Sequence, residues 1–380
     1  MKRPSTLWLV PAAALLLLLV SASASAQAPT APTLATPAGA GGAVFTMSNA
    51  VTGNQVLAYE IGPGGALIPA GHFGTHGTGT GSSLADQGAL ALTSDHRYLL
   101  VVNAGDNTVT VFAVHSPTSS QPILSFVDRV ASRGVEPVSL TVHDHFVYVL
   151  NAGNATVAGN IAGFLLADHG LLLPLPGSRQ PLSSSAPTGP AEVAFNPAGT
   201  VLVVTEKATN LLDTYVVNAR GIAQAPTVTP SNGTTPYGFA FSHRGALLVS
   251  DAASGALSSY SVASNGQLTV VSGSVPDGQA APCWVAVAGS YAFTSNAHGG
   301  TITSYRIGAG GTLSVAVDVA ATTGAADTDL AVGGSHGQYL LVWDAGAAEL
   351  QEFRIGSGGT LTPTYAVFSL PATGEGLAAF

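Results

Sequence analysis

The chain has 380 residues with 46 Gly, 23 Pro and only 8% charged residues, and its formal charge of −9 gives no electrostatic footprint for nucleic acid or anionic lipid. A single cysteine, Cys283, excludes an intrachain disulfide and any cysteine-based zinc cluster. Glycine supplies positive φ and proline breaks helices, so this composition predicts many short strands joined by tight turns.

The opening residues MKRPSTLWLVPAAALLLLLVSASASAQA place Lys2 and Arg3 before an apolar run from Leu7 to Val20, then small residues ending at Ala26. This is the order of a secretory signal peptide over residues 1–26, with an apolar run short for a bilayer span. Gln27 rather than a cysteine follows, so no lipid anchor is expected. Cleavage removes Lys2 and Arg3 and takes the formal charge from −9 to −11. Residues 27–41 read as a flexible linker and 42–380 as the folded body, exported and without further membrane contact.

An aromatic residue followed two positions later by an aliphatic one recurs along that body: Tyr59/Ile61, Phe112/Val114, Phe164/Leu166, Tyr215/Val217, Tyr260/Val262, Tyr305/Ile307 and Phe353/Ile355, at intervals of 45 to 53 residues. Ahead of each lies an apolar strand ending in a polar residue, in turn Asn49, Asn103, Asn151, Glu206, Asp251, Asn296 and Asp344. Asn and Asp suit a strand-to-turn junction because they tolerate left-handed backbone and bond to it locally. A preceding strand is centred on Leu90, Leu140, Val193, Phe239, Val285, Leu330 and Leu377, and a fourth usually follows a Gly-x-Leu turn, with SQPILSFVDRV in its place in the second unit. Seven repeats of four antiparallel strands predict an all-β, seven-bladed β-propeller. The first unit, GAVFTMSN, lacks its innermost strand, and the terminal GEGLAAF supplies an unmatched one, so the C-terminus is expected to pair into the first blade and close the ring.

Loops after the second strand and between blades should open on one face of the central channel. That places Glu206, Asn103, Asn151, Asp251, Asn296 and Asp344 on a common rim. Glutamate is not a turn residue, which singles out Glu206 as a candidate acid/base, while pairing with Lys207 or capping of loop amides is its bland alternative. Glu192, Glu136, Asp327, Asp329 and Glu375 are expected at the same mouth, where convergent acids raise a carboxyl pKa or hold a hard cation such as calcium. His298 and His76 share that face as helpers, and Asn151, Asn296, Glu192 and Lys207 as substrate-binding groups. His72, four residues before His76, and His143 and His145 read as loop residues. No H-E-x-x-H or P-loop occurs.

The segments YVLNAGNATV, VLVVTEKATNLLDTYVV and AFTSNAHGGTITSYRI, with the Gly-x-Leu turns, resemble the lactonase-type seven-bladed propellers. That family groups 6-phosphogluconolactonase-like proteins with 3-carboxymuconate lactonizing enzymes and is often labelled by YVTN repeats. The resemblance implies a lactonase or lactonizing cycloisomerase with Glu206 at the family's glutamate position. It also implies an arginine and a histidine where Ala191 and Glu192 stand, and a further arginine where Ala297 stands beside His298. Loss of those arginines disfavours phosphorylated or polycarboxylate substrates and favours a neutral lactone. Two readings result: an exported lactonase or cycloisomerase acting as a monomer on a small-molecule lactone without a required cofactor, or a non-catalytic propeller binding an extracellular or cell-envelope partner through the same face.

Overall fold

The computed structural model describes residues 42–115, 123–324 and 326–380; the predicted signal peptide and linker lie outside the described residues. Strands β1 (Ala43–Met47), β2 (Gln55–Ile61) and β3 (Leu67–Gly74) form blade one. Blade two is β4 (Leu90–Leu92), β5 (Tyr98–Asn103), β6 (Thr108–Val114) and β7 (Leu124–Ala131). Blade three is β8 (Pro137–His143), β9 (Phe146–Asn151), β10 (Asn160–Leu166), β11 (Leu172–Pro174) and β12 (Gln180–Pro181). Blade four is β13 (Pro190–Phe195), β14 (Val201–Glu206), β15 (Leu211–Val216) and β16 (Thr227–Pro230). Blade five is β17 (Pro236–Phe241), β18 (Leu247–Asp251), β19 (Ala256–Val262) and β20 (Leu268–Pro276). Blade six is β21 (Pro282–Ala288), β22 (Tyr291–Asn296), β23 (Thr301–Ile307) and β24 (Leu313–Thr322). Blade seven is β25 (Asp327–Gly333), β26 (Tyr339–Asp344), β27 (Glu349–Ile355) and β28 (Leu361–Phe368), and β29 (Glu375–Ala379) completes blade one.

The seven-bladed propeller expected from the repeats is the observed fold, and β29 closes it by antiparallel pairing with β1, Val44 opposite Ala379 and Phe45 opposite Ala378. Closure removes the inner edge that an open blade one would leave unpaired. Blade three differs from the plain repeat because its fourth strand is broken into β11 and β12, both pairing with β10. Pro174 ends β11 and Pro176 lies within the break, and proline cannot donate to a ladder.

The middle strands of each blade are buried on both faces, as sheets packed between two neighbours must be, and the fourth strands alternate. The repeated aromatics are buried between blades, each burial worth about 1.5–3 kcal/mol. Several also hook an adjoining segment: Tyr215 donates to Pro181 O at 2.9 Å, Tyr305 to Val275 O at 3.3 Å, and Tyr260 accepts from Asn232 N at 2.8 Å. Among the described residues no helix is long and apolar enough to cross a membrane.

Blades three to six share one entry to the inner strand. A left-handed residue, Glu136, Gly189, Thr235 or Ala281, precedes Pro137, Pro190, Pro236 or Pro282, and a bulge follows each proline. The left-handed residue's carbonyl accepts from the residue after the second strand, Ala152, Lys207, Ala252 or Ala297. That junction fixes which side chains turn inward and which turn to the channel mouth.

Candidate functional site

The strand-ending polar residues turn inward. Asn103, Asn151, Glu206, Asp251, Asn296 and Asp344 are all fully buried, and several clamp a side chain seven residues on, in the third strand. Asn103 Nδ2 donates to Thr110 Oγ1 at 3.0 Å, Asn296 Nδ2 to Thr303 Oγ1 at 3.0 Å, and Ser258 Oγ to Asp251 Oδ2 at 2.5 Å. Asn151 donates instead to Ser132 O and Asn160 Oδ1, both at 3.3 Å. The inter-blade backbone lies directly on these clamps: a Cβ on Gly134 would collide with Asn151, and one on Gly233 with Asp251. Asn151 and Asn296 therefore do not reach the channel mouth, correcting the rim expected from the sequence.

Glu206 follows the same geometry. Oε1 accepts from Ser183 N at 3.0 Å, and Oε2 from Ser183 Oγ at 2.5 Å and Thr209 Oγ1 at 2.6 Å. Its clamp partner, seven residues on, is Asp213, whose carboxyl is pushed up to about 8 by burial and then by the Glu206 charge. Glu206 caps a loop amide as its bland alternative foresaw, but inside blade four, not on a solvated rim. It does not pair with Lys207.

The side chain that reaches the mouth is the next one. After the seven strand-ending residues come Ala50, Ala104, Ala152, Lys207, Ala252, Ala297 and Ala345, so Lys207 is the one departure from alanine. Its Nζ donates to Ala85 O and, at 3.3 Å, to Pro190 O, and lies 4.6 Å from the Tyr237 ring centroid. Burial lowers its pKa to about 8, opposed by the attraction of Asp86.

Ala85 belongs to the connection between β3 and β4, residues 75–89, much longer than its counterparts 132–136, 231–235 and 277–281. This segment crosses the channel. Leu84 N donates to Glu375 Oε1 at 3.0 Å in blade one, Gln87 N to Ala191 O at 3.0 Å in blade four, and Gly88 O accepts from Leu140 N at 2.9 Å in blade three. In blade six, Val285 N donates to Gln87 Oε1 at 3.0 Å, Gln87 Nε2 to Val285 O at 2.8 Å, and Trp284 Nε1 to Asp86 O at 2.6 Å. Bonding to inner strands all around a ring requires passing its centre. Gly238 makes room in blade five, where a Cβ would collide with Gln87 Oε1.

Around this plug gather the buried acids. Glu192 Oε2 accepts from Phe239 N at 2.6 Å, and Asp329 accepts from Leu330 N at 2.7 Å and Leu377 N at 2.8 Å. The bonds from Phe239 and Leu377 tie one inner strand to the next. Asp86 is 2% exposed and neither of its carboxyl oxygens has a hydrogen-bond partner. Burial raises all four acids, Asp329 to about 8 and Glu375 to about 7; Asp86 is raised further by Glu375 and Asp329. Among the described residues no group of three His, Cys, Asp or Glu side chains is arranged to hold a metal ion.

Beside the plug lies a cavity of about 810 Å3, walled by Tyr237, Trp284 and Cys283, by Ala252, Ala297 and Ala345 from the mouth ring, and by Ser83, Gln279 and His298. Of the residues singled out in the sequence, the structure brings His298 to this cavity and Lys207 and Glu192 to the acids around the plug. It brings His76 to neither: that ring packs edge-on against Phe126 at 4.6 Å, in blade two. Asp86, Gln87, Gly238 and Tyr237 were not singled out; the unequal length of residues 75–89 was the available signal.

A model of the lactonase family, described as a 7-bladed beta-propeller, matches residues 249–376. No curated protein matches in sequence. Among solved structures, a proposed 6-phosphogluconolactonase from Bacteroides fragilis aligns with TM-score 0.68 and 17% identity over 90% of this chain and 98% of its own. The periplasmic gluconolactonase of Pseudomonas aeruginosa aligns with TM-score 0.69 and 18% identity over 89% and 98%. Virginiamycin B lyase from Staphylococcus aureus aligns with TM-score 0.54 and 12% identity over 77% and 88%. At these identities the shared property is the fold.

Proposed function

We propose that this lactonase-like propeller is an exported, monomeric enzyme that opens or forms an uncharged lactone in the cavity beside the plug, with His298 as general base. The observation that carries the reading is the cavity itself: alanines, Tyr237 and Trp284 form walls that suit an apolar substrate body, and His298 stands among them. His298 would take a proton from water as it adds to the lactone carbonyl and return it to the departing alkoxide. Thr301 Oγ1 donates to Gln279 Oε1 at 3.1 Å, which leaves the amide nitrogen of Gln279 as its donor toward a developing oxyanion. Ala297 and Ala191 contribute no cation, so anionic lactones are poor substrates. Export to the periplasm or exterior rests on the predicted signal peptide and agrees with the location of the Pseudomonas aeruginosa protein of like fold.

A second reading, a binding propeller without catalysis, is favoured by the sealing of Glu206. A pH-stat assay of the mature protein on neutral and anionic lactones, with and without calcium, separates the two. The enzyme reading expects neutral lactones to be hydrolysed, and His298→Ala to lower kcat about 10²–10⁴-fold with an unchanged melting temperature. Inactivity of both proteins on every lactone would leave the cavity a binding site.

A further inference from the structure

The plug is held in an unusual way. Four acids, Asp86, Glu192, Asp329 and Glu375, face one another around the channel with Lys207 as the cation among them. Glu375 sits in β29, Asp329 in β25 and Glu192 in β13, so Asp86 is approached from blades one, seven and four; Tyr237 of β17 and Cys283 of β21 complete its titratable surroundings. Glu192 and Asp329 are bonded to backbone amides of the ring and Glu375 to the Leu84 amide of the plug, but Asp86, carried by the plug, has neither oxygen partnered. A buried carboxylate without partners is far costlier than a buried carboxylic acid.

We propose that residues 83–87 form a pH-sensitive plug, seated across the channel while Asp86 and its neighbouring acids hold their protons and released from it when they ionise. With the acids neutral, Lys207 can offset the one most readily ionised, and the plug's contacts to Ala191, Val285 and, through Leu84 N, Glu375 hold it in place, so release has to come from the unpartnered Asp86. As pH rises, negative charge accumulates on both the plug and the ring. Burial raises Glu375 to about 7 and Asp329 to about 8, while Lys207, lowered to about 8, loses its charge over the same interval. Repulsion then acts between Asp86 and the channel wall, and the low dielectric that penalises each charge also strengthens the repulsion. Ser83 lines the cavity, so withdrawal would open the cavity toward the acids.

Hydrogen exchange of the full mature protein, corrected for the intrinsic pH dependence of exchange, tests this. The amides of Gln87 and Val285 report the plug, and Val204 in β14 reports the blades. Between pH 6 and pH 9 the plug amides are expected to lose protection at least tenfold while Val204 keeps its own. Asp86→Asn, which cannot ionise, is expected to abolish most of that loss. Unchanged plug protection in the wild type would overturn the proposal, as would equal loss at Val204 or an Asp86→Asn protein that behaves as the wild type does. Should Asp86→Asn not fold, Asp329→Asn takes its place with the same expectation, and the wild-type series alone retains the power to refute.

Discussion

Glu206 with Asp213, and Asp86 with its surrounding acids, are both carboxyl assemblies sealed from water, yet they do different work. The first has neutral equivalents elsewhere: what two carboxyls do in blade four, an amide and a hydroxyl do as Asn103 with Thr110 and Asn296 with Thr303. A feature that several blades build from whatever polar pair is available belongs to the blade. The second has no counterpart, because one inter-blade connection reaches the channel centre and places a carboxyl with no partners there. Repetition thus separates a structural acid from one that sets the chemistry of the channel.

The largest effect is expected from forcing the plug out. Gly238→Ala sets a methyl group against Gln87 Oε1 and Cys283 O, so either the plug shifts or blade five does. Overpacking of this kind costs about 1–3 kcal/mol, with the two Gln87 to Val285 bonds lost in addition. Gln87→Gly alone loses the same two bonds, so the double mutant should lose less than the sum of the single losses, a coupling energy measurable by a double-mutant cycle in urea. Additive losses would mean that Gly238 and Gln87 do not compete for the same space.

A smaller effect separates the assemblies by pH. Asp213 is raised to about 8 from an ordinary value near 4, so it keeps its proton when folded and loses it when unfolded. Its stabilisation is complete below about pH 4 and declines as pH rises to about 8, by no more than one proton's worth, about 1.4 kcal/mol per pH unit. Asp329 and Glu375 act in the same direction. Asp213→Asn should remove one proton's share of the slope of unfolding free energy between pH 4 and 8, leaving the share of the channel acids. An unaltered slope would show that Asp213 is not protonated in the folded protein.

The propeller was legible because each blade repeats a buried aromatic and a polar strand end, and most add a Gly-x-Leu turn. Closure was legible because one strand was missing at the start and one left over at the end. The site was less legible. Alternation along a strand sends neighbouring side chains to opposite sides, so a one-residue difference separates Glu206 inside the blade from Lys207 at the mouth, and only the bulge after Pro190 fixes which is which. The plug was harder still, since nothing local in LADQG says that it crosses to blades four and six. Only the need for Gly238 to lack a side chain marks the far end of that contact.

The smallest expected effect bears most directly on Glu206. In Glu206→Gln the amide oxygen can still accept from Ser183 N, and the amide nitrogen can donate to Ser183 Oγ, Thr209 Oγ1 or Asp213, since hydroxyls accept as well as donate. The clamp then takes the amide form used by the blades that carry asparagine, and Asp213 loses the neighbouring charge that helped to raise it. Stability at pH 6 should change by less than about 1 kcal/mol, the worth of an ordinary exchanged hydrogen bond. Turnover of any lactone that the protein hydrolyses should stay within about twofold, because no substrate reaches a side chain with no accessible surface. A loss of turnover approaching the 10²–10⁴-fold typical of a missing acid/base, with the fold intact, would place Glu206 in contact with substrate and dissolve the distinction between the two acidic assemblies.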